Sequence, residues 1–282
     1  MLIQVLNGLV YGTFLFAMAS GLALMFGLRR IVNFAHGALY MLGAYLGYTV
    51  ASRLGFWAGL GAAALCLGLI GAALDLMVFR PLRDRDPLTT LLVTFGLALI
   101  AEDGVRSIWG NDTLAIAGPD LFAGVVELPG SHFPVYRLAI VGFGILVAGG
   151  LASWLRSSRI GLYVRAASHN PVIAAVQGIN TDRLSALVVA VGAALAGMSG
   201  VVAAPILSLT PSMAADILVD SFVVVVIGGL GSVGGAFVAA LLLGQINVLS
   251  VAFLPEVTAL LPFLLMMGVL IWRPTGLAGS RV

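Results

Sequence analysis

The sequence predicts an all-α fold: a polytopic membrane helix bundle of about eight to nine transmembrane segments, counting a re-entrant half-helix. Three observations carry that prediction. The chain has 282 residues, of which 61% are hydrophobic and 9% charged, against about 45–50% apolar and about 25% charged in soluble globular proteins. Its charges are clustered, so residues 1–28, 31–52, 54–74, 138–155, 184–215 and 221–255 carry none. Windows of that size match the roughly 20 apolar residues a helix needs to cross the hydrocarbon core.

The first window, 1–28, reads as one uncleaved helix. Ala17-Met18-Ala19 before Ser20 has the form of a signal-peptidase site, but no basic segment precedes it and the apolar run continues to Leu28. The windows 31–52 and 54–74 follow, then the shorter clean windows 87–101, 138–155 and 257–272. The two longest windows need subdivision. The run Gly228-Gly229-Leu230-Gly231-Ser232-Val233-Gly234-Gly235 would break a helix, because glycine is a poor helix former. Residues 221–231 and 235–252 are therefore separate segments, the first short enough to be re-entrant.

Arginine placement gives the orientation. Arg29 and Arg30, then Arg80, Arg83 and Arg85, then Arg156, Arg159, Arg165 and Arg183, then Arg273 and Arg281 mark the cytoplasmic side. The loop 110–137 holds Asp112, Asp120 and Glu127 against Arg137 alone, and 208–220 holds Asp216 and Asp220, so both face outward. With the amino terminus outside and the carboxyl terminus inside, nine crossings satisfy this pattern, with Arg53 as the one stray.

Composition also excludes functions. One cysteine, Cys66, allows no intrachain disulfide. A net charge of +2 gives no basis for nucleic-acid binding. All fourteen basic residues are arginine, so the chain has no P-loop lysine and no Schiff-base lysine. It is not expected to be an enzyme, has no catalytic residues and no metal site, and binds no cofactor itself.

Polar residues inside spans are costly unless they are paired or line a cavity. Asn33 and His36 share a helix face at the start of the second span; they read as a gate element or as a polar helix start at the interface. Glu102 and Arg106 have the spacing of a helical ion pair, and Asp75 lies one turn before Arg80. Gln245 and Asn247 suit hydrogen bonding between helices or a path lining. Gly43/Gly47 and Gly55/Gly59 suit close helix packing. In the segment 156–183, Asn170 caps a short helix that starts at Pro171 and ends at Gly178. That helix, with Ala174 and Ala175 exposed, is either a docking element for another protein or a plain connector.

At this point the residues resemble a known family. Ile31-Val32-Asn33-Phe34-Ala35-His36-Gly37 with Tyr40-Met41-Leu42-Gly43-Ala44-Tyr45 resembles the LivH-type permease, the membrane subunit of branched-chain amino acid ABC importers. Arg80-Pro81-Leu82-Arg83, the stretch from Arg165-Ala166 through Ala175 and Gly178 to Arg183, the run from Gly228 to Ala236, and Arg273-Pro274-Thr275-Gly276-Leu277 match in the same order. The resemblance implies one transmembrane permease domain over 1–282 in the bacterial inner membrane. Its coupling residues would be Arg165, Ala166, Ala175, Gly178, Asn180 and Asp182. Its translocation pathway would pass Asn33, His36, Gly37, Phe222, Gly228, Gly229, Gly231 and Gly235. The implied partners are a LivM-like permease, two cytoplasmic ABC ATPase subunits that hold the ATP, and a periplasmic substrate-binding protein. Ala38, Asp220-Ser221, Gly234 and Ala239-Ala240 depart from the family pattern. An apolar amino acid is the leading substrate, with urea, short amides or aromatic acids as alternatives. A stand-alone channel built on 228–235 is the competing reading.

Overall fold

A computed structural model describes residues 1–83, 85–128 and 131–279. Arg281, expected on the cytoplasmic side, lies outside the described residues. Eleven α-helices make up the described chain: α1 (Leu2–Arg29), α2 (His36–Leu54), α3 (Phe56–Leu74), α4 (Pro87–Trp109), α5 (Val135–Ser157), α6 (Arg159–His169), α7 (Pro171–Val176), α8 (Thr181–Ala203), α9 (Met213–Gly228), α10 (Val233–Phe253) and α11 (Leu261–Trp272). A wide π-helical turn, Asp75–Phe79, extends α3. Six of these segments are long and apolar enough to cross a membrane: α1, α3 with its wide turn, α4, α5, α8 and α10.

The core is built on α1 and α8. Helix α1 packs along α10, α8, α5 and α9, while α8 also holds α2 and α3. In lipid, small residues let backbones approach and so gain dispersion contacts that apolarity alone would not provide. A Cβ added at Gly21 of α1 would lie 2.5 Å from the Gly192 carbonyl of α8, and one at Gly43 of α2 would lie 2.2 Å from Gly197 Cα. Gly47 and Gly59 meet at the α2–α3 contact, as their spacing suggests. Gly55 is different: it turns the chain between α2 and α3 at φ 86° with nothing packed on it.

Several boundaries differ from expectation. The second helix begins at His36 rather than near residue 31, because Arg30–Ala35 folds as a non-helical connection. The glycine run does break the chain, between α9 and α10, but α9 begins at Met213. It therefore absorbs Asp216 and Asp220, which the charge pattern assigns to an outward-facing loop. Within 156–183 there are two short helices rather than one, since Ser158 caps α6 by accepting from the Gly161 N–H at 2.8 Å. The segment between α4 and α5 holds an antiparallel hairpin, β1 (Val125–Leu128) and β2 (Ser131–Pro134), that pairs Val126 with Phe133.

Candidate functional site

Three of the arginines expected on one side, Arg29, Arg80 and Arg83, meet at one end of the bundle. The turn between α9 and α10 brings Gly231 against Gly27, in the last turn of α1. The carboxyl-terminal tail closes on the same turn, where Leu277 N–H donates to the Ile227 carbonyl at 2.8 Å and Ala278 N–H to the Gly228 carbonyl at 3.0 Å. Gly228, Gly229 and Gly235 are buried there, and each approaches backbone so closely that a Cβ would collide. Their glycine identity follows from this three-way backbone contact.

At the same end lies a charged cluster. Asp75 is fully buried in the wide turn after α3. It accepts from Arg29 Nη2 at 2.6 Å, from Arg80 Nε at 3.2 Å and from the Ser185 hydroxyl at 2.6 Å. Arg80 also donates to the Asp182 carbonyl at 3.0 Å, and Arg83 pairs with the Asp182 carboxylate. The Asp75–Arg80 pair was legible from spacing. Arg29 and Ser185, distant in sequence, were not.

The segment 156–183 hangs from this cluster. Asn170 Oδ1 accepts from the N–H groups of Val172 and Ile173, both at 3.0 Å, as the N-cap of α7. Helix α7 ends in a Schellman turn: Ile179 N–H reaches the Ala174 carbonyl, Gly178 N–H reaches the Ala175 carbonyl, and Gly178 takes φ 85°. Asn180 caps α8 through the Arg183 N–H at 2.9 Å. Arg165 turns inward to the Leu155 carbonyl. Ala166 and Ala175 are exposed, but Ala174 is buried and anchors α7, contrary to expectation. Leu162, Tyr163, Val172, Ile173 and Val176 form an exposed apolar set that sequence reading did not single out. Helical spacing in α6, with Gly161, Val164 and Ala167 buried, was the signal available.

The Asn33–His36 motif sits inside the bundle. His36 is fully buried, and its Nε2 lies 3.0 Å from the Met18 carbonyl. A carbonyl only accepts, so Nε2 carries the proton and Nδ1 offers a lone pair. Met18 is eleven residues before Arg29, which places it about 16 Å along α1 at 1.5 Å per residue. The connection Arg30–Ala35 thus runs back into the protein. Irregular backbone at such depth requires internal hydrogen bonds: Asn33 Oδ1 accepts from Ala35 N–H at 3.0 Å, and Phe34 N–H donates to the Thr94 hydroxyl at 3.2 Å. His36 Nδ1, Tyr45 OH and Ser221 Oγ are buried without a hydrogen-bond partner among the described residues. Gly37 faces Ala214 and Leu218 of α9, and Ser221 lies one turn beyond Leu218. Phe222 is half-buried on the same helix.

At the opposite end, Tyr11 donates to Asp220 at 2.6 Å. Nearby is a cavity of about 160 Å³ lined by Asn7, Tyr11, Phe14, Arg137 and Ile140 among others. A second, of about 590 Å³, lies between the end of α2 and residues 115–121. None of the pathway residues suggested by resemblance lines either cavity. Glu102 and Arg106 pair on α4, and Gln245 donates to the Val5 carbonyl across α1 and α10.

Comparison with known proteins gives matches that span nearly the whole chain. Residues 4–270 match the family model described as branched-chain amino acid transport system / permease component. The chain is 30% identical to the high-affinity branched-chain amino acid transport system permease protein LivH of Escherichia coli (strain K12), covering 98% of this chain and 94% of that protein. The LivH protein of Salmonella typhimurium is 29% identical over the same shares, 98% and 94%. BraD of Pseudomonas aeruginosa, also a branched-chain amino acid permease protein, is 27% identical over 98% of this chain and 95% of its own length. No solved structure matches the chain.

Proposed function

The chain belongs to the branched-chain amino acid transport system permease family, and on that premise we propose that it is the membrane permease of an ATP-driven importer for apolar amino acids. It forms one transmembrane domain in the bacterial inner membrane. ATP binds to two separate ATPase subunits, a periplasmic binding protein delivers the substrate, and a LivM-like permease completes the pathway. The nine-crossing scheme adds α2, α9 and α11 to the six long spans, with the amino terminus outside and the carboxyl terminus cytoplasmic. The gathering of Arg29, Arg80, Arg83 and Arg273 at one end, near 156–183, supports that orientation. The short helices α9 and α11 would then cross where neighbouring protein fills the remaining depth.

The observation that carries the reading is the α6–α7 segment. Its three side-chain caps and Schellman turn make it rigid, yet it exposes Leu162, Tyr163, Val172, Ile173 and Val176. An apolar set on a rigid, short-helix surface at the arginine-rich end fits insertion into a groove of another protein. We assign ATPase coupling to this surface, with Ala166 and Ala175 at the contact, and Arg165, Gly178, Asn180 and Asp182 shaping it. Asn33, His36, Gly37 and Phe222 are proposed to flank the pathway, with Gly228, Gly229, Gly231 and Gly235 at its inner end. The buried, unpartnered His36 Nδ1 and Ser221 Oγ support that placement, since such groups are expensive unless another state of the transporter satisfies them.

The test is substitution of the exposed surface. Ala175→Glu with Ile173→Glu is expected to abolish both co-purification of the ATPase subunits and uptake of labelled leucine, while the permease remains in the membrane. Unchanged ATPase retention and uptake would remove the assigned role of the segment.

A further inference from the structure

The buried Asp75 cluster stands apart from both the exposed coupling surface and the His36 region, yet it touches the elements that lead to each. Asp182 lies two residues after the Asn180 cap, in the first turn of α8 where the α6–α7 segment ends. From Asp182 an unbroken set of direct polar contacts runs inward. Its carboxylate holds Arg83, its carbonyl holds Arg80, Arg80 holds Asp75, and Asp75 holds Arg29 and Ser185. Arg29 also donates to Ser185. Arg29 is the last residue of α1, and Arg30 caps that helix in the left-handed region at φ 55°. Among the described residues Arg30 is the one non-glycine residue with positive φ. It opens the connection that returns to His36 at the buried start of α2.

Ordinary packing does not require this arrangement. Asp75 is fully inaccessible and Arg29 is 8% exposed, and burying charges costs several kcal/mol of solvation that apolar side chains would not incur. A π-helical turn in place of a regular one is rare and is found mostly at functional positions. The strained Arg30 likewise needs its neighbours to hold it. All three features lie on the same short route between the segment 156–183 and the Arg30–Ala35 connection.

We propose that the Asp75 cluster is a transmission joint: Asp75 and Asp182 are positioning residues through which movement of the α6–α7 segment is passed to the end of α1 and the break before α2. This rests on the coupling role assigned to that segment above and adds the internal route. The cluster does not contact the ATPase or the substrate. It sets how tightly ATP hydrolysis is tied to transport.

The decisive experiment uses the whole importer in proteoliposomes and measures ATP hydrolysed per labelled leucine imported, alongside ATPase co-purification. Arg83 and Asp182 are each 44% exposed, so reversing either charge leaves the buried Asp75 contacts in place. Arg83→Asp and Asp182→Arg, made singly, are expected to raise the ATP-to-leucine ratio about fivefold or more, with the ATPases still bound. The double swap is expected to recover most of the native ratio, which a merely structural role would not produce. Asp75→Asn should show the same excess hydrolysis; if that variant does not accumulate, the surface pair alone decides. Native ratios in both single variants, or a swap no better than the worse single, would overturn the joint while leaving the coupling segment intact. Failure of the ATPases to bind the native chain would overturn the coupling role and the joint together.

Discussion

Helices α1 and α4 are both long and apolar enough to cross a bilayer, yet 83% of the most apolar stretch of α1 is buried inside the protein against 17% in α4. Hydrophobicity therefore separates neither from the other. What differs is where small and charged residues fall. Gly8, Gly12, Gly21 and Gly27 of α1 each meet a neighbouring element at a distance no Cβ would tolerate without a shift or a tight fit. Gly96 and Gly104 of α4 have open space around them. Arg29 of α1 is buried against Asp75, while the Glu102–Arg106 pair of α4 stands on the surface. Leu88, Leu92, Phe95 and Leu99 form an exposed stripe on α4 for lipid or another subunit to cover. In a membrane, apolarity tells how far a helix stands from water, and contact-sized residues tell which helices it touches.

The largest expected effect tests the charged half of this comparison. Asp75→Ala leaves the buried Arg29 guanidinium without its carboxylate and is expected to cost about 3–5 kcal/mol of stability. Glu102→Ala breaks an exposed pair and should cost about 0–1 kcal/mol. Unfolding of the purified chain in mixed detergent, followed by tryptophan fluorescence, reads both. Equal effects would mean that the Asp75 pair is no more consequential than a surface contact.

The packing half predicts a smaller but still clear contrast. Gly21→Leu forces α1 away from the Gly192 carbonyl and is expected to cost about 1–3 kcal/mol, the usual range for overpacking. Gly96→Leu meets nothing and should leave the yield of monodisperse protein unchanged. If both variants lose yield alike, the face of α4 that is bare here is covered by a subunit rather than by lipid.

How much of this was legible depended on whether the signal was local. The α9–α10 break was visible because several glycines fall together, and the α7 helix because Asn170, Pro171 and Gly178 mark both of its ends within nine residues. The Asp75–Arg80 and Glu102–Arg106 pairs followed from helical spacing. The α6 helix escaped because the end signals at Asn170, Pro171 and Gly178 point to a single helix, although Gly161, Val164 and Ala167 at helical spacing marked a second buried face. The buried start of α2 was hidden for a different reason. Asn33 and His36 follow two arginines, which reads as an interface, and only the fold shows the chain turning back toward Met18. Arg29 as partner of Asp75 was equally hidden, since forty-six residues separate them and the pairing exists only once α1 and α3 stand side by side.

The smallest effect sharpens the comparison most, because it predicts a sign as well as a size. Replacing a helix-interior glycine by alanine gains about 0.5–1 kcal/mol when the added methyl meets nothing, since the unfolded chain loses freedom it would otherwise regain. Gly96→Ala in α4 satisfies that condition and is expected to stabilise. Gly12→Ala in α1 places a methyl 2.8 Å from the Ala240 carbonyl oxygen of α10, so the propensity gain is outweighed by the displaced backbone and stability should fall. The same chemical change on two apolar helices is thus expected to act in opposite directions, and the detergent unfolding curves would show it as midpoints shifted to opposite sides of the native one. Shifts of the same sign would mean that the α1–α10 contact yields to a methyl group, and that close backbone approach is not what holds α1 at the centre of the bundle.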